Sequence, residues 1–234
     1  MFEIRKSGER GLADHGWLNS RHSFSFAHYY DPDHMGFGPL RVINEDRVQA
    51  GRGFGMHGHS DMEIVSYVLD GALQPKDSMG NGSVLRYGDV QRMSAGTGVM
   101  HSEFNPSTSE PVHFLQIWIM PDVRGIAPSY EEKHFDAESK TGQWRLIASS
   151  DGRDGSVRIH QNAQIYASIL GDGDALSYAM ENGRGAYLHV IRGSVSVNGQ
   201  PLQGGDAIKI AGEPRIDVSD AADAEVMLFD LPLP

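Results

Sequence analysis

The chain is expected to be an all-β protein, arranged as two small barrels in tandem, and three observations carry that expectation. Glycine (28) and proline (11) are spread along all 234 residues between short apolar runs, a pattern of many strands and frequent turns. Amphipathic helical stretches are scarce. Two glycine-punctuated strand sets flank a turn-rich stretch, and a chain of this length can bury one large β core or two smaller ones.

The first set runs from about Leu40-Arg41-Val42-Ile43 to Val112-His113-Phe114-Leu115-Gln116-Ile117-Trp118-Ile119, with apolar and polar residues alternating. Met120-Pro121 ends it. Boundaries are accordingly placed at residues 1–125 for the first domain, 126–141 for a linker and 142–234 for the second domain. Within the linker, Ser129-Tyr130-Glu131-Glu132-Lys133-His134-Phe135 is the best candidate for a short helix, opened by a serine after Pro128. The second set begins at Trp144-Arg145-Leu146-Ile147 and closes at Val226-Met227-Leu228-Phe229-Asp230-Leu231. It repeats the first without the chemistry. Ala186 to Gly199 reads as strand, turn, strand, and Gly204-Gly205-Asp206-Ala207 echoes Tyr87-Gly88-Asp89-Val90, but Glu181-Asn182-Gly183-Arg184-Gly185 stands where histidines would be needed.

The chemistry lies in Gly55-Met56-His57-Gly58-His59, answered by His101-Ser102-Glu103. Side chains two apart on a strand share a face, so His57 with His59, and His101 with Glu103, can aim at one point from two strands. Three or four nitrogen and oxygen donors with open positions suit a transition ion that does chemistry. Glu63, an even step beyond His59, is a competing carboxylate that parity does not exclude. The other histidines, His160 and His189 among them, lie at scattered spacings and are read as ordinary strand or loop residues.

The run Gly-x-His-x-His with Glu63 four residues on, followed by Gly88-Asp89, Ser94-Ala95-Gly96, His101 and Asn105, resembles the two cupin motifs. The longer phrases Asp77-Ser78-Met79-Gly80-Asn81, Met93-Ser94-Ala95-Gly96-Thr97-Gly98 and His101-Ser102-Glu103-Phe104-Asn105-Pro106 are similar to the pirin-like bicupins, which include bacterial quercetin 2,3-dioxygenases. His22-Ser23-Phe24-Ser25-Phe26 and Tyr29-Tyr30-Asp31-Pro32 fit the same family, and the resemblance is densest from Phe2 to Pro121. It implies two tandem cupin (jelly-roll) β-barrels. It also implies a single metal held by His57, His59, His101 and Glu103, with Glu63 secondary. Gly58 stands where many relatives have proline.

By the same resemblance the activity is flavonol cleavage, with dioxygen as co-substrate and carbon monoxide released. Glu103 would take the proton of the substrate's 3-hydroxyl as general base. Phe37, Phe54, Met56 and Met100 are candidates for apolar walls against a planar aromatic enol, with ordinary packing the plainer reading of each. Iron(II) is the expected ion, with nickel, cobalt, manganese, copper and zinc compatible. A rival class is a metal-dependent regulatory protein acting through protein partners, as eukaryotic members of the family do; it needs the same ligands. A closed structural metal in a metabolite-binding cupin is a third.

Composition narrows the rest. No cysteine is present, so disulfides, thiolate ligands and catalytic thiols are excluded. A formal net charge of -11 disfavours direct nucleic-acid binding, which needs a basic surface. Met1-Phe2-Glu3-Ile4-Arg5-Lys6 carries charges where a signal peptide has an apolar core, and no run is long enough to cross a bilayer. A soluble, cytoplasmic monomer is expected.

Overall fold

The computed structural model describes residues 1–233, and nearly all of its regular structure is antiparallel strand. The N-terminal half contributes β1 (Phe2–Arg5), β2 (Gly11–Asp14), β3 (Leu18–His22), β4 (Leu40–Val48), β5 (Gly53–His59) and β6 (Glu63–Asp70). It continues with β7 (Ala72–Asp77), β8 (Leu85–Arg86), β9 (Asp89–Ser94), β10 (Val99–Phe104), β11 (Val112–Ile119) and β12 (Ser129–His134). A short helix α1 (Ala137–Lys140) leads to β13 (Arg145–Ser149), β14 (Val157–Arg158), β15 (Gln164–Leu170) and β16 (Leu176–Ala179). The chain closes with β17 (Arg184–Val197), β18 (Gln200–Gln203), β19 (Ala207–Ala211) and β20 (Arg215–Pro232).

Two cupin barrels result. In the first, a seven-stranded sheet in the order β12-β9-β6-β11-β4-β3-β2 packs on a four-stranded sheet, β5-β10-β7-β8. Leu18, Val48, Val68, Leu73, Leu85 and Phe114 fill the space between them. In the second, nine strands follow the path β1-β19-β17-β20-β15-β13-β14, with β16 on β20 and β18 on β17. The long strands β17 and β20 shift register at three places, which lets one sheet curl around its own core of Leu188, Val195, Ile208, Val218 and Val226. The first strand of the chain belongs to this second sheet, with Phe2 opposite Ile210 and Arg5 opposite Ala207.

The residues read as a possible helix, Ser129 to His134, are instead strand β12, paired with β9 along its whole length. The polar run is an edge strand: Arg92 on β9 bonds Ser129 and Glu131 across the pair, a contact a helix would forgo. The helix starts later, where the Asp136 carboxylate accepts the Ser139 N–H at 2.7 Å.

The seven-stranded sheet is buried on both faces. Its odd-numbered residues Ile43, Val65, Tyr67, Leu115, Ile117 and Ile119 pack with Ile147, Ile165, Tyr187, Met227 and Phe229 of the second barrel in one core cluster. The joint also holds buried polar groups. Tyr67 donates to Glu225 at 2.7 Å and accepts from the fully buried Lys140 at 2.7 Å, and Arg10 pairs with Glu45 at 2.7 Å.

His189 sits against this joint with both ring nitrogens unpartnered. Burial, reinforced by Arg10, pulls it from 6.5 down to about 4. Below pH 6.5 the unfolded chain therefore takes up a proton that the folded chain refuses until about pH 4, so stability falls as pH drops through that window. His189→Leu is expected to flatten this fall without destabilising the protein at neutral pH, as read from urea unfolding midpoints across the window. An unchanged pH slope would contradict it.

Candidate metal centre

The three motif histidines meet in space. On the β5–β10 pair, His101 lies directly opposite His57 and Val99 opposite His59, which brings all three rings to the cavity side of the four-stranded sheet. The Nε2 atoms of His57 and His59 each lie 3.0 Å from Nε2 of His101. Among the described residues these three form the one group of at least three potential ligands, with donor atoms within 4.8 Å of one another. The Gly55 carbonyl accepts from Nδ1 of His57 at 2.8 Å, which leaves the Nε2 lone pair aimed at the other two.

Two of these rings, His59 and His101, are neutral lone-pair donors at physiological pH. Burial, with the neighbouring imidazoles a smaller cause, lowers His59 to about 4 and His101 to about 3. With the ring proton on Nδ1, the tautomer that the Gly55 carbonyl favours at His57, the facing Nε2 lone pairs repel, and a divalent cation at their centre would relieve that repulsion. The donor set thus fits a divalent metal ion, borderline in softness and without thiolate.

Glu103 stands beside the triangle rather than in it. Its carboxylate is buried, accepting from Ser66 Oγ at 3.2 Å and from Gln116 Nε2 at 2.7 Å. Burial, with Asp46 nearby, raises it to about 7. Glu63 is elsewhere: it is buried in the joint, where Ser94 Oγ donates to it at 2.9 Å and the His160 backbone N–H at 3.2 Å. His160 therefore has a partner that its sequence position did not suggest, and the pair ties the barrels together.

A cavity of about 310 Å³ opens on His57, His59 and Glu103. Its walls are aromatic: Trp17 meets Phe54 edge-on at 5.6 Å, Phe26 meets Trp118 at 5.3 Å, and Trp118 meets His59 at 5.0 Å. Of the four wall candidates from the sequence, only Phe54 lines it. The reason is a bulge: between the His57–His101 and Phe54–Glu103 pairs β5 has one residue more than β10, which resets its phase and turns Phe54 inward. Met56 and Met100 point to solvent, 57% and 43% exposed. Phe37 packs at the joint against Gly185.

Comparison with known proteins agrees with this fold. Residues 3–119 match the pirin family, and residues 146–231 match the quercetinase C-terminal cupin domain. The chain belongs to the pirin family. A quercetin 2,3-dioxygenase of Escherichia coli K12 is 47% identical over 232 residues, 99% of each chain, and a pirin-like protein of Caulobacter vibrioides is 41% identical over 98% of this chain and 99% of its own. The crystal structure of the E. coli pirin YhhW in complex with nickel(II) superposes with a TM-score of 0.96 at 45% identity, covering all of both chains.

The sequence reading missed Trp17, Phe26, Trp118, Ser66 and Gln116, which surround the site. Their signal was weak, since strand alternation marks a face without saying what the face looks onto.

His57→Ala and His101→Ala proteins are expected to lose the bound ion by elemental analysis, whereas His160→Ala should keep it. Glu103→Gln should weaken binding by about ten- to hundredfold and Glu63→Gln by far less. Full retention of metal in both histidine variants would refute the site.

Proposed function

We propose that the chain is a metal-dependent dioxygenase that cleaves flavonols such as quercetin with dioxygen and releases carbon monoxide. The observation that carries this reading is the shared cavity: His57 and His59 of the imidazole triangle, the buried Glu103 carboxylate and a ring of aromatic walls face one space large enough for a planar polyphenol. The relatives named quercetin 2,3-dioxygenase support it. We place the metal in residues 1–125 and a structural role in 142–234, in a cytoplasmic monomer.

His57, His59 and His101 would hold the ion, and Glu103 would be its fourth ligand once a hydrogen bond from Ser66 or Gln116 is released. Iron(II) is the proposed native ion; nickel(II) is the ion bound to the E. coli relative. When bound, the ion supplies Lewis acidity and a template for substrate and dioxygen. The remaining work belongs to the chain. Glu103 takes the proton of the substrate 3-hydroxyl when it stands off the ion, the state in which burial raises its proton affinity to near neutrality. Gln116 and Ser66 hold the carboxylate in that standing-off position, and release of either bond frees an oxygen for the ion. Trp17, Phe26, Phe54 and Trp118 hold the ring plane and keep water from the enolate.

A second reading, a regulator acting through protein partners, draws on one feature. Met56, Met100 and Phe104 are exposed on the outer face of the same two strands that carry the ligands.

Aerobic incubation of iron-, nickel- or cobalt-loaded protein with quercetin is expected to consume dioxygen, bleach the flavonol absorbance and release carbon monoxide. Glu103→Gln should abolish turnover even with metal saturating. No oxygen uptake with any loaded metal, over a panel of flavonols and related enols, would transfer the assignment to the regulatory reading.

A further inference from the structure

The interior of the seven-stranded sheet carries a row of polar residues on a floor otherwise built for apolar packing. Strand register sets His22 opposite Asn44, Asn44 opposite Gln116, and Gln116 opposite Ser66, so one level of the sheet is polar across four strands. One level along, Ser20 faces Asp46. The Ser66–Gln116 half of the row is committed, since both side chains donate to Glu103. The other half is not. Asn44 Oδ1, Asp46 Oδ1 and His22 Nδ1 are buried without a hydrogen-bond partner, and all three residues line the cavity. Each side chain is 3% to 4% exposed, so bulk water does not solvate them.

Unpaired buried acceptors are costly, and apolar residues at these positions would continue the packing of Val42 and Val48 on the same strand. Polar residues retained there point to a ligand that completes them. Acceptors call for donors, and the surrounding Trp17, Phe26 and Trp118 call for flat apolar rings. With neighbouring strands about 5 Å apart, Asn44 and His22 lie roughly 5 to 10 Å beyond Gln116, the residue that holds Glu103. That span suits ring positions remote from the edge that meets the metal.

We infer that Asn44 and Asp46, flanked by His22, are specificity-determining residues that accept hydrogen bonds from hydroxyl groups on the substrate rings away from the chelating edge. The inference rests on the flavonol reading and deepens it: the preferred substrate is a polyhydroxylated ring system, selected over one that offers the same chelating edge alone.

The test compares quercetin with 3-hydroxyflavone, which keeps the 3-hydroxy-4-keto edge but lacks the other hydroxyls. Binding to metal-loaded protein is measured by calorimetry without oxygen, on the unmodified chain and on Asn44→Leu and Asp46→Leu. The unmodified protein should prefer quercetin by about tenfold or more, and each variant should lose about tenfold for quercetin with little change for 3-hydroxyflavone. Metal content should not change, and thermal unfolding of the variants should occur at the same or a higher temperature, because a purely structural role would lower it. Equal affinity of the unmodified protein for the two flavonols would overturn the inference and leave the flavonol reading standing, and that comparison depends on no variant. Binding of neither would overturn both.

Discussion

The pleat of the seven-stranded sheet is the constraint on which the other features depend. Alternate residues of β4, β6 and β11 point to opposite faces, and both faces are covered. One face is the joint with the second barrel, where Ile43, Tyr67, Leu115 and Ile117 meet Ile165, Tyr187 and Phe229. The other looks into the first barrel, where Ser66, Gln116 and Trp118 meet the histidine-bearing strands of the opposing sheet. The second barrel packs on the outer face and contributes no residue to the cavity on the inner one. Shape and chemistry are shared between two sheets, one supplying imidazoles and the other the groups that orient the carboxylate.

The same geometry separates the two candidate carboxylates. Counted along the chain, Glu63 keeps the parity of His59, but the count fails because the chain changes sheets between them. Asp61 adopts a left-handed conformation (φ 47°), its N–H bonding to the Gly96 carbonyl, and the strand that follows belongs to the seven-stranded sheet. Glu63 then faces the joint. Glu103 stays on the strand of His101 and reaches the cavity. Period-two reasoning is sound within a strand and carries no information across a turn that leaves the sheet.

That distinction explains what could be read from the residues. The all-β class, the paired strand sets and the convergence of His57, His59 and His101 were legible, because each rests on spacing within a single strand or on turn residues. Strand β12 was not, since an edge strand with an exposed face resembles a polar helix until its partner is known. The inward turn of Phe54 depends on the bulge in β5, which only pairing with β10 reveals, whereas Met56, next to His57, is turned outward by alternation alone. The polar row of His22, Asn44, Gln116 and Ser66 comes from four strands far apart in the chain, so register alone assembles it.

The central claim is that three imidazoles from one strand pair create the metal centre. Metal-edge X-ray absorption of the iron-loaded protein tests it directly, because imidazole rings scatter with a recognisable pattern that carboxylates and water lack. Three imidazole nitrogens per ion, at about 2.0 to 2.2 Å, with the remaining shell oxygen, is the predicted result. A shell of oxygen alone, or one with fewer than three imidazoles, would contradict it.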